Sequence, residues 1–325
     1  MTERTLIQAI NNAMDVAMEK DDAVIIMGED VGYDGGVFRA SEGLIQKYGE
    51  ERVLDTPISE AGIVGMGMGM AIYGLKPVIE IQFSGFIYPA WQEMVSHVSR
   101  IRNRSRGRFT CPMVMRTPYG GGINALEHHS ESMEAMFAHI PGLKTVIPSN
   151  PKDAKGLFLA ALEDPDPVLF LEPKKIYRAF KQDVPDEYYT TPIGKAAIVQ
   201  EGSDITVIAW GAMLHHAQEA VKDATRKDIS CELIDLRTIM PWDVETVIES
   251  VKKTGRCVIV HEATKTAGFA AEIIATINEE ALLYLEAPIK RVTGYDIIMP
   301  LLKNELKQLP SPERIFTAIQ ETVTF

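Results

Sequence analysis

Leu54-Asp55-Thr56-Pro57-Ile58-Ser59-Glu60-Ala61-Gly62-Ile63-Val64-Gly65-Met66-Gly67-Met68-Gly69 decides the fold. The stretch sets one acidic side chain at the mouth of a glycine-studded helix that follows a short strand. Ser59 then stands where a helix N-cap belongs, with Glu60 in the first turn, where negative charge suits the helix dipole. Capping and packing account for Glu60. They do not account for Gly62, Gly65, Gly67 and Gly69, since each glycine inside a helix costs roughly 0.5–1 kcal/mol relative to alanine. That cost implies close approach to the helix, either by a second helix crossing at Gly65 and Gly69 or by a planar cofactor ring.

Outward from this stretch, short β-branched runs alternate with longer segments of helical period, the pattern of parallel sheets wound with helices. Strands are expected at Ala23–Met27, Pro77–Ile81, Pro112–Arg116, Thr145–Pro148 and Val168–Leu171. Helices are expected near Thr5–Lys20, Ser41–Tyr48, Glu60–Ile72, Pro89–Arg102, Ser132–His139 and Pro151–Leu162. From Glu172 to Ile193 the period is lost among Pro173, Pro185, Tyr188-Tyr189 and Pro192, so this stretch reads as a linker. A second alternating series follows, with strands at Ile205–Trp210, Cys231–Leu236, Cys257–His261 and Ile289–Thr293. Its helices are expected near Met213–Thr225, Asp243–Lys253, Gly268–Ala281 and Pro312–Thr322. The expected architecture is α/β, two doubly wound domains with mostly parallel sheets, at residues 1–172 and 194–325, joined by a linker at 173–193.

The 325 residues and the net charge of −12 set the functional limits. Such an acidic chain is a poor phosphate neutraliser and is repelled by anionic membranes, so neither nucleic acid nor a membrane is an expected partner, whereas a basic protein partner would be steered toward it. No apolar run approaches the ~20 residues that span a bilayer, and Met1 to Ile10 lacks a secretory pattern. A cytoplasmic location is expected, or a matrix-like one if a transit peptide has been removed. Cys111, Cys231 and Cys257 are widely separated and odd in number, which reads as buried free thiols.

Gly120-Gly121-Gly122 leads into Glu127-His128-His129-Ser130-Glu131, a loop able to carry acid–base groups or simply two satisfied histidines. Adjacent histidines rarely chelate one metal, so His128-His129 and His215-His216 are poor metal candidates. His97, His139 and His261 read as structural. The arginines at 100, 102, 104, 106 and 108 read as a solvated helix end. Neither G-x-G-x-x-G nor a Walker-type phosphate loop is present.

Several separated motifs occur in a recognisable order. Thr56-Pro57-Ile58-Ser59-Glu60, the E-x4-G-Φ-x-x-G spacing of Glu60, Gly65, Met66 and Gly69, Glu80-Ile81-Gln82-Phe83, His129-Ser130, and Asp235-Leu236-Arg237-Thr238 with Pro241-Trp242-Asp243 together resemble the β-subunit of the thiamine-diphosphate-dependent first component of 2-oxo acid dehydrogenase complexes. The resemblance runs the length of the chain. It implies a pyrimidine-binding domain followed by a transketolase C-terminal-like domain, in an α2β2 heterotetramer whose cofactor spans two subunits.

By the same resemblance, Glu60 shares a proton with the pyrimidine ring nitrogen, Ile58, Gln82 and Phe86 line the pyrimidine pocket, and His129 assists reductive acylation. The partner subunit is expected to hold the diphosphate and Mg²⁺ through Gly-Asp-Gly. This chain has Tyr33-Asp34-Gly35 instead, and its first asparagine after Asp34 is Asn103. A structural potassium site is expected near Ala161, Leu162, Asp164 and Asp166. The acyl group is expected to pass to the lipoyl domain of a dihydrolipoyl acyltransferase. Phe38-Arg39 and Leu285-Glu286-Ala287-Pro288 lean toward branched-chain substrates, with pyruvate or acetoin as alternatives. A nicotinamide oxidoreductase, a non-catalytic scaffold and a transketolase-like enzyme remain competing readings.

Overall fold

The computed structural model describes residues 1–325. The chain divides into two compact units, Met1–Tyr119 with Met136–Ile193, and Gly120–Ala135 with Gly194–Phe325. Both are α/β with mostly parallel sheets.

In the first unit the strands are β1 (Thr2–Arg4), β2 (Val24–Gly28), β3 (Val53–Asp55), β4 (Lys76–Glu80), β5 (Val114–Tyr119), β6 (Lys144–Val146), β7 (Val168–Pro173) and β8 (Gln182–Val184). Strands β2 to β7 lie in the order β6-β7-β5-β4-β2-β3, all parallel. Their apolar runs are buried on both faces, as a sheet covered by helices requires. The helices are α1 (Leu6–Lys20), α2 (Leu44–Tyr48), α3 (Glu60–Tyr73), α4 (Trp91–Ser96), α5 (Ile101–Arg104) and α7 (Pro151–Glu163), with α6 (Glu134–Ala138) running from one unit into the other. Helix α1 begins in a capping box. The Thr5 side chain accepts from Gln8 N, and the Gln8 side chain accepts from Thr5 N at 3.0 Å, an arrangement worth about 1 kcal/mol.

Three expectations need correction here. Ser59 occupies the N-cap position of α3, but its side chain makes no capping bond. The segment 173–193 is not a free connector. Strand β8 pairs antiparallel with β1, and the buried Lys155 ammonium donates to the carbonyls of Pro185, Asp186 and Glu187 at 2.6, 3.0 and 2.9 Å, which fixes the stretch to the first unit. The single helix expected over Pro89–Arg102 is split. A 3₁₀ segment at Ser84–Ala90 contains Pro89, and a 3₁₀ turn at Val98–Arg100 separates α4 from α5. Pro89 has no N–H to donate and its ring crowds the preceding turn, which works against one continuous α-helix through this point.

The second unit contains β9 (Ala197–Gln200), β10 (Ile205–Ala209), β11 (Cys231–Asp235), β12 (Thr238–Met240), β13 (Cys257–Val260) and β14 (Lys290–Val292). Its sheet runs β14-β13-β10-β11-β9, parallel except for the antiparallel edge strand β9. Helices α8 (Met213–Thr225), α9 (Val244–Thr254), α10 (Ala270–Ala281), α11 (Glu305–Gln308) and α12 (Pro312–Val323) complete it. All three cysteines are buried and unbridged. No helix is long and apolar enough to cross a membrane.

Candidate functional site

In open parallel sheets ligands bind beyond the carboxyl ends of the strands, so the charged residues there come first. Glu80 ends β4, Arg116 lies on β5 and Glu172 on β7. Arg116 donates from Nε and Nη2 to the two carboxylate oxygens of Glu172, at 2.6 and 2.7 Å, and from Nη1 to Glu80. The Tyr177 hydroxyl donates to Glu172 Oε2 at 2.5 Å. All four side chains are buried. Burial works against the Arg116 cation, but the charges of Glu172 and Glu80 outweigh it and raise its pKa. Glu80 is raised by burial, with Arg116 pulling the other way and Glu172 adding to the rise.

Next along the same edge stands a second acidic group with no cation. Glu29 and Asp30 follow β2, and the Thr56 N–H donates to Gly28 O at 2.9 Å, which joins the turn before α3 to this point. Burial raises the Glu29 pKa, and the negative charges of Glu60 and Asp30 raise it further. Two buried polar atoms here, Glu29 Oε1 and Thr56 Oγ1, have no hydrogen-bond partner in the chain. Buried polar groups are nearly always paired, so these two atoms are free to bond a bound water or a polar group of a ligand.

Of the residues expected to line a pyrimidine pocket, Glu60 and Gln82 are tied to this spot by charge and by hydrogen bond. Glu60 is half-buried in the first turn of α3, and Ile58 is 84% exposed. Gln82 donates to Asp30 Oδ2 at 3.1 Å, which fixes its amide. Phe86 meets Phe83 edge to face at 5.5 Å. The glycines of α3 divide into two kinds. A Cβ on Gly67 would lie 2.8 Å from Met113 Sδ and 3.0 Å from Ile79, so this glycine lets the helix settle on the sheet. A Cβ on Gly65 or Gly69 would meet nothing within 4 Å. Those two face outward beside the exposed Met66, so no part of the chain itself makes the close approach that their presence implies. The arrangement fits an apolar ring carrying a basic nitrogen, with Ile58 for the ring face and carboxyl groups for the nitrogen.

His129 belongs to the second unit, in the loop Gly120–Ala135, and the other four site residues belong to the first. It ends a single 3₁₀ turn, Glu127–His129, and is half-buried, while His128 is exposed with Nδ1 3.8 Å from Glu131. Sequence reading missed what holds this loop. The buried Glu262 accepts from Gly121 N at 3.1 Å, and the buried Glu305 accepts from Gly122 N at 2.7 Å, Asn124 N at 2.5 Å and Ser130 Oγ at 3.2 Å.

The segment expected to hold potassium caps the end of α7. Asp164 pairs with Lys144, and Asp166 pairs with Arg102 at 2.9 Å, so both carboxylates already have cationic side chains. Asp164 N donates to Ala161 O at 3.3 Å. The other arginines of the 100–108 run are exposed, and no group of three or more His, Cys, Asp or Glu is placed to hold a metal ion.

Residues 2–179 match the family described as transketolase, pyrimidine binding domain, and residues 194–315 match transketolase, C-terminal domain. The pyruvate dehydrogenase E1 component subunit beta of Acholeplasma laidlawii is 57% identical over 317 residues, covering 98% of this chain and 97% of that protein. The 2-oxoisovalerate dehydrogenase subunit beta of Pseudomonas aeruginosa is 48% identical, covering 99% and 96%. The chain belongs to the E1 β-subunit family of the 2-oxo acid dehydrogenases.

E1 β-subunits work with an α-subunit, and the family depends on thiamine diphosphate. The Bacillus subtilis pyruvate dehydrogenase E1 component subunit beta matches this E1 β-subunit end to end at 46% identity. A solved split-gene transketolase, described as an inactive β4 tetramer, superposes with a TM-score of 0.82 over 99% of each chain at 19% identity, a likeness of fold alone. In this E1 β-subunit the residues that sequence reading passed over, Glu29, Asp30, Arg116 and Glu172, share one signal. Each is a charge set within or just after an apolar strand.

Proposed function

We propose that this chain supplies the pyrimidine-side half of the active site of a 2-oxo acid dehydrogenase. Working with an α-subunit, it decarboxylates a 2-oxo acid and passes the acyl group to a lipoyl group on an acyltransferase. The observation that carries this reading is the pair Glu29 and Glu60. The hydrogen bond from Thr56 N to Gly28 O at 2.9 Å holds the turn before α3 against the segment that carries Glu29, the Glu60 charge adds to the rise in the Glu29 pKa, and two buried atoms there have unmet hydrogen-bonding capacity. When bound, thiamine diphosphate supplies the electron sink for loss of CO₂.

The chain's own residues bind, orient and move protons. Burial, and after it the charges of Glu60 and Asp30, favour the protonated form of Glu29, and the Glu60 carboxyl is assigned the hydrogen bond to a ring nitrogen. Ile58 offers an apolar surface to the ring. Gln82, held by Asp30, and Phe86, braced by Phe83, complete the lining. His129 is assigned proton transfer or charge stabilisation during acylation of the lipoyl group. Mg²⁺ and the diphosphate are assigned to the α-subunit, on the sequence ground that Gly-Asp-Gly is missing here. The potassium proposal narrows to main-chain carbonyls around Ala161 and Leu162, because the Asp164 and Asp166 side chains are engaged.

Pyruvate is proposed as substrate ahead of 2-oxoisovalerate. Relatives named for pyruvate reach 57% and 55% identity, whereas those named for 2-oxoisovalerate reach 52% and 48%. Branched-chain acids remain the second reading, on the motifs that favoured them in the sequence. The test is dye-coupled decarboxylation of the two acids by the chain co-expressed with its α-subunit and given thiamine diphosphate and Mg²⁺. Glu60→Gln is expected to lower the rate by roughly 100-fold or more, the scale of lost acid–base catalysis. Full activity in that variant would remove Glu60 from the mechanism, and decarboxylation by the isolated chain would sink the two-subunit reading.

A further inference from the structure

The loop Gly120–Ala135 should be the least constrained part of the second unit. Before α6 its only regular element is one 3₁₀ turn, and Ile123, Leu126 and His128 are exposed rather than packed into a core. Polar, glycine-rich loops of this kind fluctuate unless something ties down their main chain.

Two buried acids do so. Glu305, fully buried at the start of α11, takes Gly122 N and Ser130 Oγ on Oε1 and Asn124 N on Oε2. Glu262, next to β13, takes Gly121 N. Gly120, at φ +78°, brings the main chain so near Glu262 that a Cβ would lie 2.3 Å from its Oε1. The loop is thus held just before and just after the turn that carries His129. The chemistry needs a carboxylate, because only that group offers two acceptor oxygens and no donor, and hydrogen bonds to it are about twice as strong as neutral ones.

We propose that Glu305 is a positioning residue for His129. It clamps the loop at both ends, so that the imidazole is presented in one place when the acyl group is transferred. The proposal rests on the acylation role given above to His129. A glutamine at 305 keeps one acceptor but turns an NH₂ toward main-chain N–H groups, which loosens at least one of the three attachments. An ordinary folding role for Glu305 predicts a different outcome, in which every activity falls together with stability.

The test uses the assembled α–β enzyme with free lipoyl domain as acceptor, and three measurements on Glu305→Gln. Amide hydrogen exchange at Gly122 and Asn124 is expected to quicken. The rate of lipoyl acylation is expected to fall roughly 10-fold further than the dye-coupled decarboxylation rate, the scale of a slightly misplaced catalytic group. Combined with His129→Ala, it is expected to cause no further loss of acylation, since there is no imidazole left to position. Ser130→Ala removes one attachment and is expected to act in the same direction with a smaller effect, which keeps the test alive if Glu305→Gln does not fold. Unchanged exchange, equal losses in both reactions, or additive losses in the double variant would overturn the clamp. His129→Ala alone separates the two claims. If it leaves acylation intact, the role of His129 is wrong and the positioning role falls with it. If it abolishes acylation while Glu305→Gln changes nothing, only the clamp is wrong.

Discussion

Two sets of carboxylates stand at one edge of the first sheet, and they are treated in opposite ways. Glu80 and Glu172 share the Arg116 guanidinium, and Glu172 also accepts from Tyr177. Glu29, Asp30 and Glu60 have no cation among them, and Glu29 keeps a buried oxygen without a partner. Buried charge is tolerated when it is paired and hydrogen-bonded, so the first set can serve the fold unaided. Burial and the nearby like charges raise the energy of the Glu29 carboxylate, and a ligand nitrogen that shares a proton here would lower it. Paired acids mark architecture here, and unpaired acids mark the place where chemistry is proposed.

Arg116→Met should break the contrast with the largest effect. It leaves Glu80 and Glu172 buried without a counter-charge, and a loss of about 3–5 kcal/mol is expected in denaturant unfolding. A loss below about 1 kcal/mol would mean that the network is dispensable.

His261 of the second unit offers a third case, a buried base governed mainly by desolvation. It stacks on Trp210 at 5.4 Å and 13°, and burial, assisted by the Arg291 charge, lowers its pKa to about 4. The unfolded chain therefore binds more protons than the folded one between about pH 6.5 and 4. Stability falls as pH drops through that window, by up to about 3 kcal/mol for this group. His261→Phe should flatten that part of the stability–pH curve, and an unchanged acid limb would show that His261 is not its source.

Glu29→Gln should give the smallest change. Because its folded pKa is raised, Glu29 contributes stability at low pH that is lost as pH climbs above about 4.5 through the folded value. Glutamine should remove that loss and raise stability at neutral pH by about 0.5 kcal/mol, the scale of a like-charge contact. Destabilisation instead would mean that the Glu29 carboxylate is held by favourable contacts.

What was legible in the sequence was whatever local pattern controls. Helix α8, Met213–Thr225, has the bounds its sequence implies, because its apolar residues follow a clear helical period. Parallel strands such as β2 and β10 are legible because they are continuous β-branched runs, whereas the short β3, Val53-Leu54-Asp55, lacks that signal and its bounds are not among those expected. The Glu80–Arg116–Glu172 network was invisible, since its members are 36 and 56 residues apart and meet only through strand order. The linker reading failed for a similar reason. Proline-rich, aperiodic sequence from Glu172 to Ile193 gives no local sign that Lys155, far upstream, gathers its carbonyls. Glu60 stood out because glycines and an acid coincide at a helix start. The hold of Glu305 on the His129 loop could not, since a lone glutamate in Lys303-Asn304-Glu305 looks like any surface residue.

Helix α3 leaves Gly65 and Gly69 on an open face, without side chains to shade its backbone from water. Alanines there would stiffen the element without collision in the lone chain, so these glycines weaken the free subunit. An unassembled copy should therefore fray first at α3, and proteases that survey newly made protein would find their earliest cut sites there.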